Sequence, residues 1–140
     1  MPHQVLFIQG GGAEGTHDEW DNKLVEHLGR ELGPDYEIRY PQMPNEADPK
    51  YARWKVAIKK EFGGLDDGTI LVGHSIGGTI LINTLVEESP DLALSGIFLL
   101  AAPFVGVGGW PSEDIKPLTG RDHQLNNDMS EVAADIRRLV

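Results

Sequence analysis

The feature that most constrains the fold is a short apolar run, Thr69-Ile70-Leu71-Val72, followed at once by Gly73-His74-Ser75-Ile76-Gly77-Gly78. The run is apolar and β-branched, the composition of a buried strand. The stretch from Ile76 to Glu88 reads as a buried helix closed by Ser89-Pro90. Gly73-x-Ser75-x-Gly77 therefore sits in a strand–turn–helix setting, which raises the serine on a sharp turn at the carboxyl end of a sheet. Such a turn leaves no room for side chains at its flanking positions, hence the glycines. The helix that follows aims its first N–H groups, and the positive end of its dipole, at any oxyanion formed beside the serine. Ser75 is thus the candidate nucleophile, and the N–H of Ile76 a candidate oxyanion donor.

Other elements alternate around this one. Gln4 to Gln9 reads as a buried strand entering a glycine-rich turn. Thr16-His17-Asp18-Glu19 has capping-box spacing, with Thr16 as N-cap and Glu19 reaching back. Trp20, Leu24, Leu28 and Leu32 then form an apolar helix stripe ending at Gly33-Pro34. Tyr36 to Tyr40 is a short second strand. Asp48-Pro49 has the pattern of an N-cap followed by proline at the first helical position, opening a helix to about Phe62. Ala93 to Ala101 is a fourth strand, Pro103 to Gly120 a Gly/Pro-rich loop, and Asp128-x-x-Glu131 caps a last helix to about Leu139. Strands alternating with helices predict a three-layer α/β fold with a mainly parallel sheet of about four strands. No linker, repeat or low-complexity segment divides residues 1–140, so a single domain is expected.

Composition narrows the function classes. The formal net charge is −10 over 140 residues. Lys59-Lys60 and Arg137-Arg138 are isolated pairs, not the basic cluster that a nucleic-acid binder needs. No apolar run reaches transmembrane length. Met1-Pro2-His3-Gln4 has neither the basic nor the apolar region of a signal peptide, so a cytoplasmic location is expected, with no membrane or nucleic-acid partner. Cysteine is absent and the five histidines lack paired metal-ligand spacing, so no metal or cofactor is expected.

Gly10-Gly11-Gly12-Ala13 follows the first strand, where a second backbone oxyanion donor belongs, from Gly11 or Gly12. Gly10-x-Gly12-x-x-Gly15 is also a dinucleotide-binding pattern. Against that reading, helix signals begin only after the third glycine, and Tyr40-Pro41-Gln42 offers no acid for a ribose. Glu14 and Asp18 would also repel a pyrophosphate. Among the histidines, His123 is the expected base, because it follows the serine on a loop, Gly120-Arg121-Asp122-His123-Gln124, before the last helix. His17 sits where it would position a loop, and the side chain of His74 should point away from the nucleophile. Gly12, His74 and Trp110 are expected substrate contacts. The loop from Phe104 to Pro117 could form an apolar lid favouring short acyl chains.

With these residues placed, the chain resembles the small bacterial α/β-hydrolases related to the serine hydrolase retinoblastoma-binding protein 9. The resemblance is carried by the glycine turn with His17 and Trp20, Gly-His-Ser-Ile-Gly-Gly, Ala101-Ala102-Pro103-Phe104, and Gly120 to Asp128. It implies an ester-cleaving serine hydrolase with a small-molecule substrate. Such hydrolases place a strand, an acid-bearing loop, a helix and a further strand between the fourth strand here and the histidine loop. Only Pro103 to Gly120 fills that space, whereas a strand–helix–strand unit needs roughly 30 residues. The catalytic acid is therefore not evident. Asp114 is the preferred substitute, Glu113 the alternative, and a Ser75–His123 pair without an acid remains open.

The same deletion turns Ile97-Phe98-Leu99-Leu100, a central strand by composition, into a sheet edge. An apolar edge recruits another chain, so a homo-oligomer through Ile97–Leu100 is expected. A hydrolase-like binding module with weak or no activity is the alternative function.

Overall fold

The computed structural model describes residues 2–102 and 128–139. Four apolar runs form strands: β1 (His3–Ile8), β2 (Tyr36–Arg39), β3 (Thr69–His74) and β4 (Leu94–Leu100). They pair in parallel in the order β2-β1-β3-β4. Every residue of β3 is buried, as its unbroken apolar run requires. Helices α1 (Asn22–Leu32), α2 (Tyr51–Phe62), α3 (Ile76–Glu87) and α4 (Ser130–Arg137) cover both faces.

Successive residues of β1 feed opposite cores, the period of two expected of a strand. Val5 and Phe7 pack with Val72 against Leu24 and Leu28 of α1 and Ile136 of α4. Leu6 and Ile8 pack with Leu71 against Trp54 and Ile58 of α2 and Ile80 and Leu81 of α3. The result is the expected three-layer α/β fold with four parallel strands. Chain direction across the sheet reverses between β1 and β3, and in open α/β sheets ligands bind beyond the carboxyl ends of the strands at such a point. The glycine turn follows β1 and the Ser75 turn follows β3, so both meet there.

Four local expectations are corrected. The Thr16–Glu19 capping box does not form: Gly15 is the N-cap, at φ 88°, and Thr16 Oγ1 donates to Ala13 O. Residues Thr16–Asp21 make a π-helical turn before α1, with Trp20 N–H donating to Gly15 O. The extra residue in such a turn rotates what precedes it by about 100° relative to the α1 stripe. Leu24, Leu28 and Leu32 therefore enter the core while Trp20 is 50% exposed. At α2 the N-cap is Lys50, not Asp48, and the Asp48 carboxylate lies 3.2 Å from Lys50 Nζ. At α4 the N-cap is Met129, and Asp128 Oδ1 instead accepts from the N–H and hydroxyl of Ser130.

Strand β4 is the edge of the described sheet, with Ile97 and Leu99 40% and 43% exposed. Among the described residues no helix is long and apolar enough to cross a membrane.

Candidate active site

Ser75 joins β3 to α3 with φ 56° and ψ −134°. A non-glycine residue rarely adopts this conformation, which costs on the order of 1–3 kcal/mol and persists only where neighbours enforce it. The Ser75 N–H donates to Leu100 O at 2.8 Å, and the Ser75 carbonyl accepts from Gly78 N–H at 2.9 Å. Backbone packing supplies the rest. A Cβ on Gly73 would lie 2.5 Å from Gly78 Cα, and one on Gly77 would lie 1.8 Å from Gln9 O. Helix α3 thus starts wedged against β3 and the end of β1.

The glycine turn is held by two acids. Asp21, fully buried, accepts from Gly10 N–H at 2.6 Å and faces His74 Nδ1 at 3.0 Å. Glu46 accepts from the N–H groups of Gly15 and His17 and from Gln9 Nε2, at 2.7, 2.9 and 2.9 Å. Burial alone would raise the Glu46 carboxyl, but the hydrogen bonds from Gln9, His17 and Gly15 outweigh it and hold it below the usual range. The Glu46 carbonyl also accepts from Gly12 N–H at 2.7 Å. That N–H is therefore committed, which leaves the Gly11 N–H as the candidate donor on this side. No hydrogen bond from the Gly11 N–H is seen among the described residues. The Ile76 N–H is the first of α3 and has no carbonyl behind it within the helix.

Two cavities meet at Gly11. One, of about 160 Å³, is bounded by Gly11, Trp20, Asp21, His74 and Ser75. The other, a cleft of about 650 Å³, has Gly11, Gly12 and Ile76 at one end. His74 is almost fully buried and borders the smaller cavity beside Ser75. His123, Asp114 and Trp110 lie outside the described residues. The remaining histidines have local partners. His17 stacks on Tyr40 at 4.0 Å, His27 Nδ1 accepts from Met129 N–H at 2.9 Å, and His3 packs on Tyr36. Among the described residues no group of three His, Asp or Glu side chains is placed to hold a metal ion.

Asp21 and Glu46 escaped the reading of the sequence. Asp21 ends the π-helical turn just before α1, where a polar residue passes for a solvated position. Its burial depends on partners 11 and 53 residues away.

Comparison with solved structures fits this geometry. The chain is similar to the ydeN gene product of B. subtilis, at 30% identity over 71% of this chain and 52% of that one, with a TM-score of 0.56. An extracellular α/β-hydrolase from a Paenibacillus species matches at 25% identity, over 75% and 43% of the two chains, with a TM-score of 0.54. The chain belongs to the α/β-hydrolase superfamily. A putative ydeN-like hydrolase of Pectobacterium atrosepticum shares the fold at 17% identity, over 74% and 50%, with a TM-score of 0.54. This α/β-hydrolase chain spans about half the length of these structures, at 52%, 43% and 50%. No protein-family model and no curated protein matches it. The narrower likeness to retinoblastoma-binding protein 9 rests on the sequence motifs alone.

Proposed function

We propose that the protein is a serine hydrolase that cleaves a small carboxylic ester, or a related acyl bond, through an acyl-enzyme on Ser75. The observation that carries this reading is the φ of 56° at Ser75, a strained turn that shares a cavity with Gly11. Ser75 Oγ attacks the carbonyl and passes its proton to His123, and the oxyanion is held by Gly11 and Ile76. Collapse expels the alcohol, protonated by His123. Water, activated by the same imidazole, then releases the acid. Asp114 is the proposed partner that fixes the tautomer of His123. Gly12, His74 and Trp110 complete the proposed substrate contacts. The chemistry needs no metal or cofactor.

A fluorophosphonate probe tests this directly. Wild type should be labelled, and Ser75→Ala and His123→Ala should not be. A folded wild type that resists the probe, and turns over no ester, would remove the proposal.

A second reading has its own support. The chain spans about half the length of its structural neighbours, and Ile97 and Leu99 stand exposed on the sheet edge. A hydrolase-like binding or oligomerising module with little activity accounts for both. Ser75-dependent turnover separates the two readings.

A further inference from the structure

The larger cleft extends well past the two oxyanion donors. Its floor is a single stripe of α3, in which Ile76, Ile80, Asn83 and Glu87 follow one another at spacings of four, three and four. That stripe covers three turns, about 16 Å at 1.5 Å per residue. Pro49 and Tyr51 face it from the other side. Near Gly11 the lining is apolar, through Ile76, Ile80 and Pro49. The far end is polar, with its carboxylates paired to lysines. There the Tyr51 hydroxyl donates to Glu87, and Lys55 Nζ lies 3.0 Å from the other Glu87 oxygen. The Tyr51 hydrogen bond, with that from Lys55, holds Glu87 below the usual carboxylate range, so it is ionised at neutral pH. Asp48 adds a second carboxylate to the wall, paired with Lys50 Nζ at 3.2 Å.

We propose that this cleft is a chain-binding subsite, built for an unbranched acyl group of medium length whose far end is uncharged. The proposal rests on the reading of Ser75 as nucleophile, since that reading sets which end of the chain carries the carbonyl. The carbonyl sits at Gly11 and Ile76, the methylenes lie along Ile80, and the tail reaches Asn83 and Glu87. An acetyl group would leave most of the cleft wet: its 650 Å³ equals roughly twenty water molecules at about 30 Å³ each. Each methylene that displaces water from the apolar half adds up to about fourfold in affinity. A carboxylate tail would instead give up its hydration beside two carboxylates already paired with lysines, Glu87 with Lys55 and Asp48 with Lys50.

Titration of the Ser75→Ala protein tests the subsite without turnover. The ligands are methyl butanoate, methyl hexanoate, methyl octanoate and monomethyl suberate. Affinity should rise by at least fivefold for each pair of methylenes. Monomethyl suberate, equal in chain length to the octanoate but ending in a carboxylate, should bind at least tenfold more weakly than it. Asn83→Trp and Ala47→Trp plug the cleft from opposite walls, and each should erase the octanoate advantage. Equal affinity along the series, no binding, or an octanoate advantage that survives both plugs would overturn the subsite. So would tight binding of the suberate half-ester. The outcome is separate from probe labelling. Labelling of Ser75 with a flat titration sinks the subsite and leaves the nucleophile. A graded titration without labelling keeps the subsite and sinks the hydrolase.

Discussion

Asp21 ties the two halves of the site together. One oxygen accepts from Gly10 N–H in the turn after β1 and faces His74, the residue before Ser75, all in a fully buried setting. Removing a buried carboxylate leaves its partners without their acceptor, which costs about 3 kcal/mol or more. Asp21→Ala should therefore lower the unfolding free energy by that amount in urea titration, and turnover should fall with it as the glycine turn loosens. Asp21→Asn keeps an acceptor for Gly10 and should be the milder change. Gly11 gives a sharper test of geometry. A Cβ there would meet Glu46 O and Trp54 at 3.0 Å, so Gly11→Ala must shift the turn. Loss of one oxyanion donor costs roughly 10²–10³ in turnover. Gly11→Ala should approach that loss in kcat with little change in KM. Equal rates for Gly11→Ala and wild type would mean that the turn absorbs the Cβ with its N–H in place, against the tight packing at that position.

At the scale of elements, the segment from Gly10 to Asp21 depends on Glu46, whose carboxylate gathers donors 29 to 37 residues away in sequence. Its pKa is lowered in the folded protein, so the unfolded chain takes up the proton first. Its contribution to stability is complete above the ordinary value near pH 4.5 and fades as pH falls through the lower folded-state value. Glu46→Gln, which mimics the protonated acid, should be less stable than wild type at neutral pH. The two unfolding curves should converge as the pH is taken below 4.5. A gap that stays constant with pH would mean that the carboxylate charge is irrelevant. The same elements show what a sequence can reveal. The β3 run, the Ser75 turn and Leu24, Leu28 and Leu32 were legible because each depends on local spacing alone. The π-helical turn was not, since one extra residue hides inside an otherwise regular stripe and misplaces Trp20. The Asp48-Pro49 cap failed for a similar reason: propensity favoured a start that the chain sets two residues later, where Lys50 O accepts from Arg53 and Trp54. Asp21 and Glu46 act across the fold, and no local pattern announces such partners.

For the molecule as a whole, the exposed edge is the main question. Strand β4 pairs with β3 through six residue pairs from Thr69–Leu94 to His74–Leu100, and no strand pairs with its other side among the described residues. Its α4 face is covered near Gly96, where a Cβ would meet Leu139 at 2.5 Å. The opposite face carries Ile97 and Leu99, alternate residues and therefore neighbours on one surface. We propose that a second copy of the chain covers this surface, because a two-fold contact joins the same apolar patch to itself and closes without forming a filament. Lysine is a residue by which proteins blunt exposed strand edges. Ile97→Lys and Leu99→Lys, both at exposed positions, should keep the fold and disperse the assembly. Sedimentation velocity at micromolar concentration should show a dimer for wild type and a monomer for each variant. Because Ser75 N–H bonds to Leu100 O at the end of this same strand, dispersal should also slow probe labelling of Ser75. A wild type that sediments as a monomer would end the dimer proposal. A dimer unchanged by both lysines would place the interface elsewhere.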